Sequence, residues 1–316
     1  MAVIIILTTK NRLPGPSALI LWLPAFFLLG YFLRAPSLAA SSAASALRAC
    51  AASLIPALFP FIVLVGILSG VGIPQALAKL VGKPIGRLFG MSPAAAYPIL
   101  MGALGGFPIG AVCTRELYEQ GQLSRDEAER LCTFTNNASP AFCIGGIGAS
   151  LMGDASFGLQ LYLCQLAAAF FVGILQRRRG KYQPSAVLPC SPRPAAAIIT
   201  DAITSGGITM LKICSFAVFF AVVGDAACLI TEAALGERAA AVTAAIFELT
   251  LGARRCAELG GKSAKIICAA AVGWSGLSVQ MQISSILSGS GIRMKRCYCC
   301  KLISAVLMAG LIGSLC

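Results

Sequence analysis

The sequence predicts an all-α polytopic membrane protein: about seven transmembrane crossings and two re-entrant hairpins, forming an inverted structural repeat around a midplane site. Three observations predict it. The chain has 316 residues, is 58% hydrophobic and only 12% charged, and has a mean hydropathy of +0.84, whereas soluble domains carry about 25% charged residues. Apolar runs recur at about 18–33, 56–72, 93–113, 138–152, 155–175, 210–230, 239–252, 265–286 and 302–316, and roughly 20 residues make one span. Two of these runs are broken by glycine, proline or an acid, in the same order in each half of the chain.

Residues 1–52 read as an N-terminal signal-anchor helix with an amphipathic lead-in. Lys10 and Arg12 precede the run Ala18 to Leu33, and Arg34 and prolines follow it in place of a small-residue cleavage site. Residues 53–175 form the first repeat. It opens on "SLIPALFPFIVLVG" (Ser53–Gly66) and continues into "GALGGFPIGA" (Gly102–Ala111). Non-helical backbone at membrane depth survives only inside protein or beside water, so this stretch is expected to be a re-entrant hairpin. Its turn needs Gly105 and Gly106, and Pro108 marks the end of a helix.

"SRDEAERL" is soluble in character. Ser124 and Glu127 make a capping box, and Asp126 and Arg130 fall at i,i+4, so a solvated surface helix is expected. It leads into "TFTNNASPAF" (Thr133–Phe142). Thr135, Asn136, Asn137 and Ser139 are candidate solute-binding residues, their amides and hydroxyls able to read hydroxyl or base edges. The alternative is that they tie membrane helices together. Pro140 lacks an N–H and clashes with the carbonyl of Asn136. That carbonyl is expected to turn toward a cavity, with one Asn side chain alongside.

Residues 176–196 form a basic cytoplasmic linker. "QRRRGKYQPSAVLPCSPRP" (Gln176–Pro194) has five basic residues, four prolines and no acid, the signature of a loop retained inside. Residues 197–286 repeat the earlier order: a Phe-rich span (Met210–Gly224), the break "AAIFELTLGA" (Ala244–Ala253) and "GWSGLSVQMQ" (Gly273–Gln282). Gly252 and Gly276 are expected at these breaks. Glu248 is the sharpest candidate, because an intramembrane acid points to function by default. Its structural alternative is an ion pair with Lys212 or Arg254. Thr250, Ser275 and Ser278 sit on the matching breaks and are weaker candidates for the same site. Residues 287–316 form a C-terminal transmembrane helix.

Several function classes are not supported. There is no histidine, so the usual proton shuttle and commonest metal ligand are missing. The cysteines cluster only at Cys297, Cys299 and Cys300, with no second pair or His at zinc spacing, so no metal site is expected. No nucleophile–base pair or phosphate-cradling loop is present, and neither enzymatic activity nor a cofactor is expected. The net charge of +13 fits retention of basic loops in the cytoplasm better than nucleic-acid binding. The expected partners are the lipid bilayer and a small polar solute. The charge balance and the broken helices favour an anion or a nucleoside-like molecule, and a homo-oligomer stays open.

"SLIPALFPF", "GALGGFPIGA", "LSRDEAERLCTFTNNASPAF" and "GWSGLSVQMQ" resemble the sporulation integral membrane protein YlbJ family, within the nucleoside-recognition Gate domain group. The resemblance runs from about Ser53 to Gln282 and is most specific in its middle block. Arg254 and Arg255 depart from it, standing where neutral residues are expected. It implies a multi-pass protein of a spore-forming bacterium's inner membrane, in the mother cell or the forespore. It also implies a requirement in building the spore cortex and a core like that of concentrative nucleoside transporters. The expected function is therefore transport of a small polar or nucleoside-like solute. The alternative is a non-transporting scaffold that recruits cortex-building partners.

Overall fold

The computed structural model describes residues 16–178 and 193–315. Most of the basic linker and the first part of the signal anchor lie outside the described residues. Those described form helices and turns, with no strand among them.

The chain enters through α1 (Pro16–Arg34) and α2 (Pro36–Ala49), each opening on a proline whose missing N–H would have no helical partner anyway. A π-helical turn, Cys50–Leu54, leads into α3 (Ile55–Gly70). Two short helices follow, α4 (Ile73–Leu80) and α5 (Gly82–Phe89). The apolar chain bends by 75° between α3 and α4 and by 98° between α5 and the next helix. That helix, α6 (Ala96–Gly105), pairs with α7 (Ile109–Glu119) as the first hairpin. Gly106 at its tip has φ +80°, a conformation that glycine adopts without strain. The Phe107–Pro108 bond beside it is cis.

α8 (Arg125–Leu131) carries the expected capping box between Ser124 and Glu127. Its charges depart from the expected solvated face. Arg130 is 4% exposed and donates to the carbonyls of Phe89 and Gly90, so it closes the C-terminus of α5 while pairing with Asp126 at 3.0 Å. Asp126 also meets Arg178 and Arg296. Burial pushes its carboxyl up, but the hydrogen bond from Arg296 and the charges of Arg130, Arg178 and Arg296 outweigh this and hold it below the usual range.

After α8 the chain is irregular to Ser139, and then an 11-residue π-helical segment, Ala141–Leu151, runs back along α9 (Ala155–Leu175). The crossing expected at 138–152 is thus a broken half-span. A single 41-residue helix, α10 (Ala195–Leu235), replaces the shorter run expected at 210–230. Nothing between Pro194 and Gly236 interrupts it, and at 1.5 Å per residue it is about 60 Å long, twice a hydrocarbon core of about 30 Å. α10 is therefore longer than a single crossing of the hydrocarbon core requires.

The second hairpin is α11 (Glu237–Phe247) and α12 (Leu249–Leu259). α13 (Gly261–Trp274) and α14 (Gly276–Leu287) form one span broken at Ser275–Gly276. α15 (Lys295–Leu315) closes the chain and packs along α13 and α9. Among the described residues, four helical stretches are long and apolar enough to cross a membrane, or up to six if each bent pair is one span. Large apolar side chains such as Leu80, Leu211 and Val306 stay exposed, as lipid-facing surfaces require.

Two basic residues of the second half are paired with acids. Lys265 meets Asp154 and Arg255 meets Glu232, both at 3.0 Å.

Candidate functional site

The first break is threaded between the arms of the first hairpin. A Cβ on Gly102 would lie 2.1 Å from the Thr135 carbonyl oxygen, and one on Gly110 would lie 2.4 Å from it. Only glycine on both α6 and α7 lets the irregular backbone through. The tip then touches the end of the break, where a Cβ on Gly106 would meet Ser139 at 2.9 Å.

The polar groups of this break are satisfied from within. Asn136 Oδ1 accepts from the Ala111 N–H at 2.8 Å, and its Nδ2 donates to the Cys132 carbonyl at 3.3 Å. Asn137 donates to the Phe134 carbonyl at 2.8 Å, and Thr135 to the Leu131 carbonyl at 2.9 Å. Gln165, buried on α9, accepts from the Ala138 N–H at 3.0 Å and donates to its carbonyl at 2.9 Å. The Asn136 carbonyl released by Pro140 does not face a cavity, as the sequence suggests it should. It accepts from the ammonium of Lys301 on α15. The reason is steric and electrostatic together: α15 packs against this segment, and a buried lysine needs an acceptor.

The second break is organised differently. Glu248, 7% exposed, has extended backbone (φ −143°, ψ 127°) at the tip of the second hairpin. It caps α12 by accepting from the Leu251 N–H at 2.7 Å. Neither Lys212 nor Arg254 pairs with it, and no ion pair among the described residues includes it. Trp274 donates to the Ile246 carbonyl at 3.1 Å, tying α13 to the hairpin. Ser275 takes a left-handed conformation (φ 71°), the one non-glycine to do so among the described residues, and Gly276 follows at φ 74°. Gly252 is not at the break. It lies inside α12, where a Cβ would stand 2.5 Å from the Ala245 Cα, so its role is close packing between the arms. Gly105 likewise ends α6 against the Phe61 ring.

Both hairpin tips, the end of the first break and the α14 helix beyond the second break meet at one cavity of about 280 Å³. Gly106 and Phe107 come from the first tip and Ser139 from the first break. Glu248 and Thr250 come from the second tip, and Val279 and Gln282 from α14. Phe142, Ile213 and Ala217 complete the apolar wall. Of the eight candidate residues, Ser139, Glu248 and Thr250 line it; Thr135, Asn136, Asn137, Ser275 and Ser278 stand behind it, buried. Gln282 was not legible as a lining residue, although its period of three to four from Ser275 and Ser278 puts it on the same side of α14. Its Nε2 donates to Ser278 at 3.2 Å.

Two other cavities are present. One of about 20 Å³ lies behind Glu248, between Asp225 and Arg254, room for about one water. The other, about 440 Å³, opens between α3, α7 and α10 beside Lys212. It is larger, but Arg115 pairs there with Glu119 and Arg193 with Asp201, and it touches neither tip nor break. The central cavity is the better candidate site. Its lining holds one carboxylate and no basic residue, which disfavours an anion.

No family model matches the chain. It is 28% identical over 292 residues to the sporulation integral membrane protein YlbJ of Bacillus subtilis (strain 168), covering 80% of this chain and 72% of that protein. Its fold is similar to the solved structure of CNTnw in an inward-facing substrate-bound state, with a TM-score of 0.54 and 14% identity, over 94% of this chain and 84% of that one. The chain is a homologue of YlbJ with an all-α, concentrative-nucleoside-transporter-like membrane fold.

Proposed function

We propose that this YlbJ homologue carries a small, uncharged, nucleoside-like solute across the membrane, and that the solute binds in the central cavity. The observation that carries this reading is the convergence of two hairpin tips, the end of the first break and α14 on one cavity. Broken helices in matching halves are the best pointer to a transporter's binding site. A volume of about 280 Å³ lies just below the roughly 300–1,000 Å³ of drug-sized pockets, which suits a small molecule.

The chemistry of the lining narrows the class. The Glu248 carboxylate accepts hydrogen bonds from solute hydroxyls, while Ser139, Thr250 and Gln282 supply both donors and acceptors. Phe107 and Phe142 offer flat apolar faces for a planar ring. Lys212 and Ile213 are neighbours on α10, one lining the charged cavity and the other the central one. The likeness to YlbJ supports placing this step in sporulation, in supply of the spore cortex.

Uptake by purified protein in liposomes, screened against labelled nucleosides and neutral cortex precursors, tests the reading. Saturable uptake of at least one such solute, competed by its unlabelled form, is expected. Folded protein that moves none of them above protein-free liposomes overturns it, and leaves the scaffold role standing.

A further inference from the structure

Lys301 is used by nothing in the proposed binding site, yet it is the most deeply buried cationic side chain among the described residues. It lies six residues into α15, about 9 Å along the helix axis, and is 2% exposed. No ion pair among the described residues includes it. Ionisable groups inside membrane proteins persist when a specific partner holds them. The partner of Lys301 is the Asn136 carbonyl, in the irregular stretch just before Pro140.

The match extends one turn further. Cys297 and Lys301 are four apart on α15, and the carbonyls of Cys132 and Asn136 are four apart on the first break. Cys297 Sγ donates to the Cys132 carbonyl at 3.2 Å, and Lys301 donates to Asn136. One helical face of α15 thus reads a ladder of two freed carbonyls. Unwound carbonyls of this kind are the usual ligands of a coupling cation in broken-helix transporters. Two more of the break's backbone sites are also occupied: the Cys132 carbonyl accepts from Asn136 as well, and Gln165 holds Ala138 on both sides.

We propose that the Lys301 ammonium is a tethered cation that permanently fills the cation position of the first break, so that this break binds no free Na⁺, K⁺ or Li⁺. The coupling consequence, solute movement indifferent to the gradient of those ions, rests on the transport reading. Occupancy of the break does not.

The test is thermal unfolding of the full chain in detergent, in NaCl, KCl, LiCl or choline chloride at equal ionic strength. Wild type is expected to melt at the same temperature in all four. Lys301→Ser, which leaves space and open carbonyls, is expected to melt lower in choline and to regain about 2–5 °C, saturably, in at least one of the three metal ions. Lys301→Met fills the space without charge and is expected to stay low in every salt. A merely structural lysine predicts loss of stability with no ion response. Saturable stabilisation of wild type by one metal ion overturns the proposal, as does a folded Lys301→Ser protein indifferent to all three. If neither variant folds, the wild-type comparison decides alone. A protein that moves no solute would fail the uptake assay and leave this result intact.

Discussion

The two helix breaks have similar outlines and opposite economies. At Thr133–Pro140 the freed backbone and the side chains are spent on one another, on Gln165, on Ala111 and on Lys301. Only Ser139 reaches the cavity. Beside the second break, at the second hairpin tip, Glu248 makes its cap to Leu251 and presents the rest of its side chain to two cavities. The difference teaches that polarity inside a membrane span does not by itself mark a binding site. What matters is whether the polar groups are already satisfied. The first break is a frame, and the second carries the reactive surface.

The largest effect should follow from blocking the thread. Gly102→Val puts a branched side chain where even a Cβ would be 2.1 Å from the Thr135 oxygen. No folded protein should be recovered by size-exclusion chromatography; a wild-type elution profile and melting point would mean the break does not pass between the hairpin arms. Next comes Gln165→Leu, which strands the N–H and carbonyl of Ala138 in a buried setting. Each orphaned group costs about 1–3 kcal/mol, so a clear fall in melting temperature is expected.

The asparagines sharpen the comparison within the first break. Asn136 holds two partners on two elements and Asn137 one nearby carbonyl. Asn136→Ala should therefore destabilise by about 1–3 kcal/mol and Asn137→Ala by about half that, measured side by side in the same detergent. Equal losses would show that the contact to α7 adds nothing.

The smallest effect lies outside the membrane. Asp126 is held below its ordinary value of 3.8, so its contribution is fully present above that pH. It fades only as the pH falls through the lowered folded value. Asp126→Asn should thus show a small, constant deficit in melting temperature between pH 5 and pH 8, closing only in stronger acid.

Much of the fold was legible because glycine and proline mark backbone that cannot be regular helix. Gly106, Pro108, Pro140 and Gly276 all sit at real turns or breaks. Gly252 misled, since a glycine in a helix can serve close packing as well as a turn. The clamps were hidden for another reason. Gln165 is one of two glutamines in a largely apolar span, and Lys301 sits at the edge of a run that reads as starting at residue 302, whereas the helix begins at Lys295. Their partners come from segments 27 and 165 residues away in sequence, a separation that no local pattern encodes. The i,i+4 spacing of Cys297 and Lys301 was the one available signal. Arg130 was misread similarly, as a surface charge, because its acceptors belong to α5.

The central claim is tested most directly by the initial rate of solute uptake per folded molecule, compared between Glu248→Gln and Gln165→Leu in the same liposomes. Glu248→Gln should fold with wild-type melting behaviour and lose uptake at least about tenfold, equivalent to about 1.4 kcal/mol. Gln165→Leu should melt lower yet keep a near wild-type rate for each molecule that remains folded. The reverse pattern, with uptake retained in Glu248→Gln and lost per folded molecule in Gln165→Leu, would contradict the account.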